Sequence, residues 1–281
     1  MENFNKLIDL KIETDSEAFE IKTPRNGPKP QIKISGNLTA GGFIQNFQIE
    51  CTNFFSNSIN NAARITVKAG YEGNMSAGIS GEVQNVYTAS PGPDKVTVIS
   101  CASASFDSWI SKTINLKLKA GFSLQDAIYE VTNALGFEPA EIDAGIASKI
   151  CAAPLYMNGK CSEAIKLIKD AFNGIAVTTD GKKLRVFSLE STRKTVVVHT
   201  LPFLTQAPQF SGGLVNLTAP WNPMVKPGDY VKFPIDFKQT SQGSLVSNEA
   251  SITSIQFSFS TDGDENEMVL TGTVTSQLKE A

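Results

Sequence analysis

The sequence has one histidine and four cysteines in 281 residues, and each scarcity removes a class of chemistry. A serine or cysteine nucleophile with a histidine base would have to use His199. That residue sits in the β-branched run TVVVHTL, and no nucleophile-elbow motif occurs, so it reads as a structural histidine. Cys51, Cys101, Cys151 and Cys161 lack the short spacing of a zinc knuckle or a redox pair, and one histidine cannot complete a mixed site. They are expected reduced, as small buried apolar residues; a Cys51–Cys101 or Cys151–Cys161 disulfide is the alternative. No apolar run approaches the ~20 residues of a membrane-spanning helix. No basic run occurs either, and 25 basic against 28 acidic residues leave a net charge of −3. That balance argues against sequence recognition of nucleic acid. The opening MENFNKLIDLKIETD interleaves charge and has no signal-peptide core. Synthesis in a cytoplasm without membrane insertion is the expectation.

The chain is too long for one small domain, and two or three are expected. Residues 30–118 read as a β domain: IKISG, FIQNFQIECT, ARITVKAGY, EVQNVYTAS and DKVTVISCAS are short alternating or β-branched runs separated by turn residues. Residues 1–29 read as an N-terminal arm or hairpin. The period changes at Ser123, which can cap a helix with Asp126 completing a capping box. Leu124, Ala127, Ile128, Val131, Ala134 and Leu135 follow at helical spacing, and Gly136 stops the helix. A second helical pattern, Cys161 to Phe172, ends at Gly174 and runs into a hairpin turned at Asp180-Gly181. Residues 119–195 therefore form an α/β unit. From 196 to 281 the chain is all-β again. The fold class is mainly β with a small α/β insertion.

Candidate sites are few. GYEGNMSAGISG lacks the Lys-Ser/Thr end of a phosphate loop and joins strands, so it is a glycine-rich connection in which Gly70 and Gly81 allow close backbone approach. STDGDENEM begins as Asp-x-Asp-x-Asn, but Glu267 and Thr273 fill the positions where a calcium loop needs glycine and glutamate. It reads as a solvated hairpin tip. No catalytic residue, cofactor or metal is expected. In LTAPWNPMVKPGDYVKF, Pro227 presets the first φ of a type II turn and Gly228 supplies the positive φ of the second. Tyr230 to Phe233 then form a strand that Pro234 ends.

Three stretches in order resemble the baseplate hub proteins of contractile-tailed bacteriophages, of the Mu-like and T4-like type. The first is ARITVKAGYEGNMSAGISGEVQNVY, where Ala69, Gly70, Tyr71, Ile79, Gly81 and Val83 match the family pattern and Ser80 replaces its usual aromatic. The second is the "Gly-x-Ser-Leu" helix, a further helix and a hairpin carrying Asp180, Gly181, Leu184 and Val186. The third is the segment with Asn222, Pro223, Val225, Pro227, Gly228, Asp229 and Val231, approached through Trp221.

The resemblance implies an assembly role in the virion tail. Two tube-like β-barrels, at 30–118 and 196–281, would flank the α/β unit. A homotrimer would then join the six-fold tail tube to the three-fold central spike, beside other baseplate proteins. It would be assembled in the host cytoplasm. The competing expectation is a carbohydrate- or receptor-binding tail component that uses Trp109, Tyr156 and Trp221 as stacking platforms.

Overall fold

Alternating side chains on short β-branched runs place one face of each strand inward, and the paired strands assemble into one large sheet. The computed structural model describes residues 5–14, 17–40, 45–53, 59, 63–76, 79–90, 93–103, 112–180, 183–188, 198–211, 213–234, 248–263 and 266–274. The N-terminal half contributes β1 (Lys6–Glu13), β2 (Ala18–Ile21), β3 (Ile32–Thr39), β4 (Asn46–Thr52), β5 (Arg64–Tyr71), β6 (Asn74–Ser76), β7 (Ser80–Ala89) and β8 (Val96–Ala102). In β1, Ile8, Leu10 and Ile12 are buried and the strand pairs with β5 along all eight residues. The N-terminal arm or hairpin is thus a β1–β2 hairpin that extends the first β domain.

The α/β unit runs through β9 (Thr113–Leu118), β10 (Phe122–Ser123), α1 (Leu124–Leu135), β11 (Glu138–Ile142), α2 (Ala144–Ala147), β12 (Ile150–Cys151), β13 (Leu155–Lys160), α3 (Cys161–Ala171), β14 (Ile175–Asp180) and β15 (Lys183–Ser188). Helix α1 starts as its sequence dictates. Ser123 Oγ accepts the Asp126 N–H at 3.1 Å, and the Asp126 carboxylate accepts the Ser123 N–H at 3.0 Å. Gly136 closes it in the left-handed conformation, φ 71°. Helix α3 starts without a serine cap, but Glu163 Oε2 accepts the Lys160 N–H at 3.2 Å. Leu124, Ile128 and Val131 of α1, Ile165 and Ile168 of α3, and Leu184 and Val186 of β15 form the unit's own core. Ile114, Leu116 and Leu118 of β9 belong to that core, and β9 pairs with β13. The α/β unit therefore begins some residues before 119. Alternation identifies a strand without saying which sheet it joins, and β9 alternates as the strands before it do.

The remaining strands are β16 (Val198–Thr200), β17 (Gln209–Ser211), β18 (Leu214–Ala219), β19 (Tyr230–Lys232), β20 (Glu249–Ser260) and β21 (Asn266–Val274). They join the N-terminal strands in a 14-stranded sheet whose main path is β17-β18-β21-β20-β3-β4-β8-β7-β5-β1-β2. The two β portions meet where Ser254–Ser260 of β20 pair antiparallel with Lys33–Thr39 of β3. One core spans the junction, from Ile8 and Ile99 to Val215 and Leu270.

The sheet contains the same unit twice. The order β3-β4-β8-β7-β5 in the first portion matches β17-β18-β21-β20-β19 in the second, with every neighbour antiparallel. Register is kept across the strands. Gly36, Phe47, Cys101 and Val83 form one row, and Phe210, Val215, Gly272 and Ile252 form its counterpart. Each unit carries a one-residue bulge at the same place, Gln84 in β7 and Thr253 in β20.

Candidate functional site

The α/β unit and the second β unit meet at the Pro-Gly-Asp corner, and two consecutive proline turns build it. The Val225 N–H donates to the Asn222 carbonyl at 3.1 Å across Pro223, and the Asp229 N–H donates to the Lys226 carbonyl at 3.0 Å across Pro227. Asn222 Oδ1 also accepts the Met224 N–H at 3.0 Å. In the second turn Gly228 has φ +93°, the type II value that its sequence position calls for. The corner is then stitched to β20: the Gly228 N–H donates to Ile252 O at 2.8 Å, and the Ile252 N–H donates to Asp229 O at 2.9 Å.

Asp229 is the centre of the corner, with 2% of its surface exposed. Its Oδ1 accepts Arg185 Nη2 at 2.5 Å, and its Oδ2 accepts the Lys226 N–H at 2.8 Å. The same Oδ2 lies 3.0 Å from His199 Nε2, which donates to the carboxylate. Arg185, on β15, spends its second nitrogen on the Pro227 carbonyl at 3.0 Å. Burial pushes the Asp229 carboxyl up. The His199 hydrogen bond, the Arg185 charge and hydrogen bond, and the Lys226 N–H outweigh it, so the group stays below its ordinary value. Both carboxylate oxygens are thus committed, and among the described residues Asp229 is the hydrogen-bond partner of His199. An Asp–His pair can orient a base, yet no described serine or cysteine meets this imidazole. The group is a clasp that holds the α/β unit to the sheet.

Apolar contacts close the same seam. Phe187 of β15 packs with Ala40 and Ala176, and its ring lies under the Gly228 backbone, where a Cβ would stand 2.6 Å from Cδ2. Arg185 sits 5.7 Å above that ring. On the other side, Ser103 Oγ and Thr179 Oγ1 share a hydrogen bond of 2.5 Å between the first β unit and β14.

The other motif residues lie elsewhere. Trp221 is buried, stacked on Phe257 at 5.3 Å and tilted against Phe259 at 5.0 Å. It is a core residue of the second β unit and offers no stacking platform. Tyr156 is 64% exposed on β13, and Trp109 lies outside the described residues. Gly70 pairs with Leu7, and Tyr71 packs edge-on against Phe259 at 6.1 Å with its hydroxyl accepting from Asn266, which ties the two β units together. Gly81 is needed for space: a Cβ there would meet Ala102 O at 2.6 Å and Phe47 Cε1 at 2.7 Å. Asp180 pairs with Lys183 at the end of the β14–β15 hairpin, and Gly181 lies outside the described residues. All four cysteines are free, and burial pushes the Cys51 and Cys101 thiols up to about 12.

Sequence reasoning found the turn but missed the Arg185–Asp229–His199 contact. No spacing signals it, since the three residues come from β15, β16 and a loop. A trough of about 710 Å³ along β3, β4 and β20 is lined by amides and hydroxyls such as Asn37, Gln48, Gln256 and Ser258, by the charged Lys33, Glu50 and Glu267, and by apolar groups including Phe47 and Phe257. Among the described residues, no group of three His, Cys, Asp or Glu could hold a metal, and no helix is long and apolar enough to cross a membrane.

A mainly β chain with two copies of one sheet unit and an α/β unit clasped across them defines the fold. That fold is shared with bacteriophage tail proteins. The chain is similar to the 43 kDa tail protein of prophage MuSo2 from Shewanella oneidensis, with a TM-score of 0.60 and 13% identity, covering 96% of this chain and 99% of that one. It is similar to a tail protein from Neisseria meningitidis, with a TM-score of 0.62 and 9% identity over 95% and 96% of the two chains. A type VI secretion component from E. coli, itself described as structurally similar to the T4 tail proteins gp27 and gp5, matches with a TM-score of 0.56 and 12% identity over 90% and 76%. No protein-family model matches the sequence, and no curated protein matches it. At these identities the likeness is one of fold.

Proposed function

We propose that the chain is a structural component of a phage tail, the baseplate hub, which joins the tail tube to the central spike as a homotrimer. The observation that carries this reading is the internal repeat. Two units of equal strand order and register in one sheet let three copies present six near-equivalent faces to a six-fold tube, while the α/β units follow true three-fold symmetry. The end-to-end likeness to tail proteins supports the tail setting. In this reading, the two tube-like domains are those expected at 30–118 and 196–281, the first of them ending before β9. Its role is structural, and the Asp229 clasp keeps the α/β unit at a fixed angle to the ring. Tube protein, spike and neighbouring baseplate proteins are its partners, in a virion tail assembled in the host cytoplasm.

The test is the solution mass. Light scattering coupled to size exclusion should give about 90 kDa, three copies of the 30.2 kDa chain. A mass of one or two chains across the accessible concentration range refutes the trimeric adaptor.

A further inference from the structure

One exposed face of the α/β unit has no part in the clasp or in the core. β9 and β13 pair antiparallel as a two-stranded ribbon. On its inner face Ile114, Leu116 and Leu118 enter the unit's core with Met157 packed beside them, against α1 and α3. The alternate residues are exposed: Thr113, Asn115 and Lys117 on β9, and Tyr156, Asn158 and Lys160 on β13. Register sets Lys117 opposite Tyr156, Asn115 opposite Asn158 and Thr113 opposite Lys160. Lys112 and Lys119 flank β9 and are exposed as well. The Cys161 N–H donates to Lys112 O at 3.0 Å, which brings Lys112 to the Lys160 end of the ribbon. The face thus has two lysines at each end, and between them a ring that is 64% exposed and two amides.

The charge on this face has one sign. KTINLKLK, 112–119, and LYMNGK, 155–160, contain four lysines and no aspartate or glutamate, in a chain of net charge −3. Glu163 comes against the ribbon at Gly159, where its Oε2 accepts the Lys160 N–H at 3.2 Å. None of the four lysines makes an ion pair among the described residues, whereas Lys11, Lys22, Lys183 and Arg185 do.

We infer that this face docks an extended acidic segment of another protein, with Tyr156 as the central anchor and the lysines as its charge partners. Aromatic anchors supply most of the energy of such contacts, and complementary charge supplies rate and specificity. In an extended chain, alternate side chains stand about 6.8 Å apart on one face. Lys117 and Lys119 are also two residues apart, so acidic residues at alternate positions of the partner stay in step with them. A second copy of this chain fits poorly, because its carboxylates are largely committed: Asp126 to the α1 cap, Glu141 to Lys183, Asp229 to the clasp, and Glu13 and Glu20 to Lys11 and Lys22. Nucleic acid fits less well too. The ribbon offers no arginine fork for phosphate, and a strand longer than the ribbon would run onto a surface of net negative charge. A membrane surface would call for apolar side chains beside the lysines, and the outward positions around Tyr156 are polar. The inference stands on the α/β unit alone and needs neither the trimer nor the hub reading.

The probe is a fluorescently labelled peptide of alternating Glu and Thr, titrated with the purified full chain at low salt and read by anisotropy. Oligothymidylate and polygalacturonate, matched in charge, are the competing probes. The peptide should bind more tightly than either, and its affinity should fall as salt rises. Lys117→Glu with Lys119→Glu and Lys160→Glu should weaken the peptide at least about tenfold, whereas Lys22→Glu with Lys68→Glu, on the first β unit, should leave it within about twofold. Tyr156→Ala should weaken it about fivefold or more with an unchanged melt, as an anchor outside the fold would. If charge reversal lowers the melt, the neutral set Lys117→Gln, Lys119→Gln and Lys160→Gln reads the same loss in a folded chain. No peptide binding, or binding that survives both sets or falls equally with the Lys22 and Lys68 reversal, overturns the site. Tighter binding of oligothymidylate or polygalacturonate overturns the acidic protein segment as its occupant.

Discussion

Replacing Gly228 with alanine tests the clasp at its narrowest point. The residue has φ +93°, and its ideal Cβ would stand 2.6, 2.7 and 2.8 Å from Cδ2, Cε2 and Cγ of Phe187. Two costs follow. Placing an L-residue in the left-handed region costs about 1–2 kcal/mol. Forcing a methyl into the packed Phe187 ring costs about 1–3 kcal/mol more, because a buried ring cannot swing aside as a surface side chain can. Gly228→Ala should therefore lose about 2–5 kcal/mol in urea unfolding followed by circular dichroism, and valine should lose more because it is β-branched. The two costs separate in a double-mutant cycle. With Phe187→Ala present the clash disappears, and Gly228→Ala should then cost only the backbone share of about 1–2 kcal/mol. Additivity of the two substitutions would mean that Phe187 and Gly228 do not press on each other. A Gly228→Ala curve that overlays the parent would refute the turn assignment itself.

Arg185→Met leaves Asp229 buried with its main charge partner gone, and about 2–4 kcal/mol should be lost, discounted from a fully buried pair because Arg185 keeps 15% exposure. The Asp229 carboxyl lies below its ordinary 3.8 in the folded chain. Its stabilisation is therefore fully present above that value and is lost as pH falls through the lower folded one. Asp229→Asn should flatten this acid limb in melts taken at decreasing pH; an unchanged limb would contradict the assignment. Trp221→Ala removes the stack on Phe257 and Phe259 and should cost about 3–5 kcal/mol. Tyr156→Ala, at an exposed position, should stay within about 0.5 kcal/mol of the parent.

What was legible in the sequence was local. Ser123, Asp126 and Gly136 mark the ends of α1 because each satisfies a backbone group that a helix end leaves open. Pro227 and Gly228 specify their turn for the same kind of reason, since each fixes one dihedral. For residues 1–29 the reading left an arm or a hairpin open, although Ile8, Leu10 and Ile12 alternate with Asp9, Lys11 and Glu13, the pattern of a half-buried strand. The clasp was not legible. Asp229 meets Arg185 and His199 only because three segments converge, and a lone histidine in a β-branched run carries no mark of its partner.

The two tube-like domains that the resemblance implies leave no repeat in the sequence itself, because each copy solves the same packing problem with different side chains. Phe47 lies over Gly81 inside the first unit, whereas Phe257 of the second lies over Gly36 of the first. The aromatic-over-glycine contact thus occurs once within a unit and once across the junction. What stays constant is backbone register, for a physical reason. A slip of one residue would turn every core side chain to solvent, so alternation is held while identity drifts. The bulges at Gln84 and Thr253 fall under the same constraint. Each absorbs one residue where its strand leaves a partner, β5 after Glu82 in one case and, in the other, β19 before the pairing with β3 begins.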